Sequence, residues 1–136
     1  MLLYSTILLC IAALGIAGLA AKYLLGPAPA DYHINILKHD GIDVTDGHNR
    51  VFRALYLVLG CLTLSLALTL AVLALIPIAQ NMLWAKLTVL IIGAVTALGA
   101  CGVPFRIEKA TGVRTPWRPA ACVIAIIFVA VLLSFA

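Results

Sequence analysis

Asp40, Asp43, Asp46 and His48 lie within nine residues of one another, in the stretch HDGIDVTDGHNR at positions 39–50. Three carboxylates and an imidazole at this density offer hard oxygens and one borderline nitrogen, the donor set of a divalent metal ion. The stretch holds three of the chain's five carboxylates and two of its three histidines. Its spacing is not that of a helix-loop-helix calcium loop, which alternates acids before a glycine and a distal Glu. Nor is it the paired Cys/His spacing of a structural zinc site. The same residues also have a structural reading, as a polar turn with helix caps and a basic flank.

Two further groups could bind anions. Arg50 and Arg53 follow the acidic stretch directly, and Arg106, Lys109, Arg114 and Arg118 surround Trp117 some sixty residues later. Guanidinium groups beside an indole suit lipid headgroups, a phosphorylated ligand or an acidic partner segment.

The elements that must position these groups are membrane spans. The chain has 136 residues, of which 65% are hydrophobic and only 10% charged, with a mean hydropathy of +1.18. A soluble domain keeps roughly a quarter of its residues charged, so a surface this poor in charge faces lipid. Uninterrupted apolar runs cover positions 2–25, 54–76, 83–103 and 120–136, each about the length that crosses the hydrocarbon as a helix. Prolines 77, 104 and 119 mark run edges, and the chain lacks the period-two alternation of a membrane barrel. The expected fold is all-α: one integral membrane domain over 1–136, a four-helix transmembrane bundle.

Lys and Arg orient it. Lys22, Lys38, Arg50 and Arg53 flank or occupy the first connection, and Arg106, Lys109, Arg114 and Arg118 the third; only Lys86 stands on the other side. By the positive-inside rule, loops one and three are cytoplasmic and both termini outside. Tyr23, Tyr56 and Trp117 then fall near the inner interface, and Tyr4 and Trp84 near the outer. Ala28-Pro29-Ala30 is similar to a signal-peptidase site. No basic residue precedes the first run, however, and the run is long for a signal peptide, so it is expected to remain as a span. In this setting the net charge of +4 marks the cytoplasmic side and anionic lipid rather than nucleic acid.

Within loop one, Asp31 is expected to cap a short amphipathic helix over 32–39, with Ile34 and Leu37 on one face and His33 and Lys38 turned elsewhere. It is expected to lie along the inner interface. Thr45 or Asp46 is expected to cap the second span.

The spans exclude several activities. No ionisable Asp, Glu, Lys, Arg or His stands in the middle of any of them, which argues against a proton relay or ion-coupled carrier, and all three histidines lie outside, which argues against bundle haem. Cys10, Cys61, Cys101 and Cys122 are spread one per span without a C-x-x-C pair, so they read as small packing residues rather than redox centres. Small residues recur at helical spacing: Ala13, Ala17 and Ala21; Gly60, Thr63, Ala67 and Ala71; Gly93, Ala97 and Cys101. Such stripes let helices approach closely within the bundle, or against a second copy or another membrane protein.

The segment Arg50-Val51-Phe52-Arg53-Ala54 resembles the basic start of the second helix in the MAPEG proteins, four-span membrane enzymes of glutathione and eicosanoid metabolism. The resemblance implies a glutathione-binding role for Arg50 and Arg53 on a lipophilic substrate. It covers five residues and the topology. Leu57 and Gly60 stand where the family has an Asn and a Glu that help build its active site.

The sequence thus leads to an integral protein of a bacterial inner membrane, with a polar cytoplasmic face and a non-catalytic accessory or assembly role, and with no cofactor expected. Its competitors are a glutathione-using enzyme of the MAPEG kind, and a channel or carrier for a small neutral or lipophilic solute.

Overall fold

The computed structural model describes residues 1–136 and contains helices and no strands. Four helical stretches are long and apolar enough to cross a membrane: Leu2–Leu25, Asp46–Ile78, Leu83–Thr111 and Trp117–Phe135. We label the helices α1 (Leu2–Leu25), α2 (Asp31–His39), α3 (Asp46–Leu73), α4 (Leu83–Ala97), α5 (Val103–Thr111) and α6 (Trp117–Phe135).

α1 is the central helix. It packs extensively on α3 and on α6, and α4 packs on α6, whereas α3 and α4 scarcely touch beyond the turn that joins them. The core follows from this order. Leu9, Ala12, Ala13 and Ile16 of α1 meet Ala67, Leu70 and Ala74 from the second stretch and Ile127, Ala130 and Val131 of α6, with Ala85 and Val89 of α4 closing it. Small residues set the distances. A Cβ on Gly60 would stand 2.6 Å from the Leu24 Cγ, one on Gly15 3.3 Å from Val123, and one on Gly93 3.3 Å from Ile127. The stripes on α3 and α4 therefore serve packing inside the chain, as close approach in lipid requires.

The helix through the second run starts at Asp46, eight residues before the apolar run at Ala54, capped by Thr45 as expected, with His48 completing the cap. Thirty-three residues of helix measure about 50 Å against about 30 Å of hydrocarbon, so this stretch stands well clear of the bilayer core. Pro77 and Pro104 do not end their helices. Wide π-type turns over Ala74–Ile78 and Leu98–Gly102 carry the chain through, relocating the bonds that a proline nitrogen cannot donate. The third run accordingly continues through α5 to Thr111, where Gly112 ends it in the left-handed region at φ 71° and donates its N–H to the Glu108 carbonyl. In α2, Ala30 rather than Asp31 is the capping position, and Asp31 is the first helical residue.

Two ends result. One carries both termini and the short turn at 79–82; the other carries α2, α5 and the two long connections, and we call it the loop end. At the terminal end Thr6 reaches the Ala74 carbonyl at 3.5 Å. Lys86, in the first turn of α4, is only 5% exposed. Its Nζ donates to Asn81 Oδ1 at 2.6 Å and to the Ser134 carbonyl, and it stands 4.8 Å from the Phe135 ring centre. The partial negative charge of the α6 C-terminus compensates this cation.

Candidate functional site

The candidate residues gather at the loop end, where the structure gives most of them a bond that holds a helix end. His48 sits three residues after the cap of α3. Its Nδ1 accepts the Thr45 N–H at 3.1 Å, and its own N–H donates to Thr45 Oγ1 at 3.4 Å. This is a reciprocal capping box with His in the place usually held by Glu or Gln. Asp46 occupies the first turn of the same helix, where the helix dipole favours an anion. Asp40 is paired in the open with His39 at 3.0 Å, and Asp43 lies exposed in the irregular segment 42–45. Asp40, Asp43, Asp46 and His48 are not brought together; no three His, Cys, Asp or Glu side chains are placed to share a metal ion.

Arg53 reaches back to the end of α1. Its guanidinium donates to the carbonyls of Gly26 and Leu24, both at 3.0 Å, two of the acceptors that a helix C-terminus leaves free. Arg50, the other residue singled out by the MAPEG resemblance, is exposed and makes no side-chain bond.

Tyr56 joins α1, α2 and α3. It is 4% exposed; its hydroxyl accepts the Ala30 N–H at 3.0 Å and lies 2.7 Å from His33 Nδ1. The hydroxyl can donate its proton to Nδ1 or accept one from it, according to the imidazole tautomer. The ring of Tyr56 meets Tyr23 edge-on at 5.2 Å, and His33 stacks on Phe52 at 5.5 Å and touches Tyr32 at 4.0 Å. Burial lowers the His33 pKa from its ordinary 6.5, which favours the neutral ring. His33 thus faces the bundle instead of turning away from it. Burial likewise raises the Tyr32 phenol well above its ordinary range, leaving a neutral hydroxyl.

Loop three is built on Glu108. Its carboxylate takes a two-pronged pair from Arg118, with Nη2 at 2.7 Å from Oε1 and Nη1 at 3.2 Å from Oε2. The Thr115 N–H adds a third donor at 2.8 Å. The Thr115 hydroxyl, 4% exposed, lies 2.9 Å from the Pro104 carbonyl and 3.2 Å from the same carboxylate. Arg118 first, and then the Thr115 N–H, hold the Glu108 carboxyl down to about 2. Arg118 also stacks 4.7 Å over Trp117, whose ring meets Phe105 edge-on at 5.4 Å and whose carbonyl accepts the Cys101 thiol at 3.8 Å. The Trp117 indole N–H is buried without an acceptor. Arg106, Lys109 and Arg114 stand exposed and unpaired.

Two concavities border the Trp117–Arg118 pair. A cleft of about 250 Å3 lies between α2 and loop three, lined by Tyr32, Arg114, Thr115, Pro116, Arg118 and Pro119. A groove of about 370 Å3 runs down the other side, lined by Ala97, Leu98, Cys101, Gly102, Phe105, Trp117 and Ala121. The contribution of Tyr32 to a site with loop three has no sequence signal, since more than eighty residues separate them. Glu108 was equally silent, because only the turn at Gly112 brings it to Thr115 and Arg118.

Comparison with protein-family models, curated proteins and solved structures finds no match for this chain.

Proposed function

We propose that this chain is a non-catalytic integral protein of a bacterial cytoplasmic membrane that assembles with further transmembrane helices, a second copy being the simplest partner. Its two long connections face the cytoplasm and both termini face out, as the eight Lys and Arg residues at the loop end favour over Lys86 alone. In this frame α2, docked on the bundle through His33 and Tyr56, lies along the inner interface.

One observation carries the assembly reading. α3 packs on α1 by a single stripe of Tyr56, Gly60, Ala67 and Leu70, and α4 packs on α6 while barely touching α3. In the most apolar window of the third spanning stretch only 11% of residues are buried, against 28% in the first and fourth. Two flanks that follow each other in sequence are therefore left without a helical neighbour. Ser65 and Thr69 return their hydroxyls to backbone carbonyls four residues earlier, so the outer face of α3 presents no free polar donor to lipid or to a partner helix.

Native mass spectrometry from mild detergent tests this reading. A dimer or higher multimer, or a co-purified membrane protein, is the expected result. A single chain carrying only lipid, with no crosslink between copies from cysteines placed at Leu62 or Leu68 in native membranes, refutes it. Sidedness is read separately, in a background lacking the four native cysteines. A membrane-impermeant maleimide should reach Gln80→Cys from outside, and Asp43→Cys only after the membrane is opened.

A further inference from the structure

The cleft is lined by Arg118 and the groove by Trp117, the two members of one stacked pair, and their chemistries are complementary. The cleft brings two arginines, Arg114 and Arg118, and Tyr32 to one opening. Arg114 is exposed with no partner. Arg118 uses two of its five N–H groups on Glu108, leaving three to donate. Glu108 does not line the cleft, and its oxygens are already covered by Thr115 and Arg118. Two cations against one carboxylate leave the site positive. The nearby Arg106 and Lys109 add to that sign, and Asp31 at the start of α2 is the nearest other acid along the chain to Tyr32.

The groove, by contrast, is apolar along its length. It is formed where the wide turn at Leu98–Gly102 opens the helix next to the start of α6. Gly102 lies on its wall, and a Cβ added there would meet nothing within 4 Å. From Phe105 to Ala97 the helix descends about 12 Å, from the level of the basic loop into the hydrocarbon. A free anion would have no use for such a channel, and a neutral lipid would have no use for the paired guanidinium groups.

We infer that the cleft and groove together form a single site for one anionic phospholipid, its phosphate held by Arg114 and Arg118 beside Tyr32 and one acyl chain lying in the groove from Phe105 to Ala97. The cleft and the α6 wall of the groove, Trp117 and Ala121, lie apart from the α3 flank used in the assembly reading, while Ala97 at the end of α4 belongs to both the groove and the third spanning stretch. A lipid seated there ties α2 to loop three, two segments that no side-chain hydrogen bond joins.

The test is competitive retention in mild detergent, read by native mass spectrometry with phosphatidylglycerol and phosphatidylcholine of identical chains at equal concentration. The wild-type protein should retain one phosphatidylglycerol in preference to phosphatidylcholine. A cation near an anionic headgroup contributes about fivefold, from about 1 kcal/mol each. Arg114→Ala should therefore lower the preference about fivefold without changing thermal stability, since its side chain has no partner. Gly102→Leu fills the groove and should reduce retention of both lipids. Arg50→Ala, an exposed cation outside the cleft, should leave the preference unchanged. Equal retention of the two lipids by the wild type overturns the inference, as does an equal loss on Arg50→Ala and Arg114→Ala, which would mark diffuse attraction to the whole basic face.

Discussion

Tyr56→Phe isolates the contact that docks α2. The substitution keeps the ring, its edge-on packing against Tyr23 at 5.2 Å and its burial, and removes only the hydroxyl. Two partners then lose their bond: the Ala30 N–H at 3.0 Å and His33 Nδ1 at 2.7 Å. Both are partly buried, so water restores them incompletely, and about 1 kcal/mol for each gives a loss of about 2 kcal/mol. The bundle core is untouched. The loss should therefore appear as local opening of α2 rather than as global unfolding. Hydrogen exchange over residues 31–39 in lipid nanodiscs at pH 8 should accelerate roughly 30-fold, the factor that 2 kcal/mol represents.

Acid should reproduce this effect in the wild type. The His33 pKa is lowered by burial from 6.5, so the docked state binds its proton less well than the undocked one. The docking free energy is then full above about pH 6.5 and declines as the pH falls below it. Protonation also converts Nδ1 to a donor, so the contact with the Tyr56 hydroxyl has to run from imidazole to phenol. Protection of residues 31–39, corrected for the intrinsic pH dependence of exchange, should be lower in wild type at pH 5 than at pH 8. Exchange in Tyr56→Phe within threefold of wild type at pH 8, or wild-type protection unchanged between pH 8 and pH 5, would refute the reasoning.

Three other outcomes follow from particular contacts. Gly60→Ala should destabilise the fold by about 1–2 kcal/mol, because its Cβ would sit 2.6 Å from Leu24 Cγ and overpacking outweighs the helix gain. Gly18→Ala, whose Cβ meets nothing within 4 Å, should be neutral or stabilising by up to about 1 kcal/mol; detergent-denaturant unfolding of the pair checks both. Arg53→Ala should cost about 1 kcal/mol in the same assay, since the Leu24 and Gly26 carbonyls lose charged donors but stay within reach of water. Loop three should hold through mild acid and loosen only as the pH falls from about 4.5 toward 2, because the Glu108 pKa is lowered from 4.5 to about 2. Trp117 fluorescence follows that transition, and a midpoint at or above pH 4.5 would contradict the Arg118 pairing.

The spans were legible because apolar run length reports directly on the hydrocarbon thickness. Their helical limits were less so, because hydropathy measures the membrane and not the hydrogen-bond ladder. Thr45 was legible as a cap, yet the box it forms uses His48, a residue that the usual Glu or Gln rule does not search for. Pro77 and Pro104 read as stops, but a wide turn before or around each proline removes the clash that would end the helix. The assignment of His33 to an outward face failed for a related reason. Periodicity in a nine-residue helix is set by two turns only, and a single hydroxyl from Tyr56 was enough to decide which side faces the bundle. Glu108 was illegible as an anchor, since its partners Thr115 and Arg118 lie across a left-handed glycine that sequence spacing does not fold.

These local bonds change which residues remain free for chemistry. His48, Arg53 and Arg118 each hold a helix end or a loop, and their removal would report on architecture before it reported on any ligand. Of the residues that first suggested a metal, Asp40 and Asp43 are exposed and Asp46 serves its own helix, so the acidic stretch is most simply the solvated turn into α3. Arg50, Arg106, Lys109 and Arg114 are the cations without partners. Arg114 among them lines the cleft with Arg118 and Tyr32. Charge attracts anions to all four; shape distinguishes one, and that is why substitution of Arg114, compared with Arg50, separates a built site from a merely basic surface.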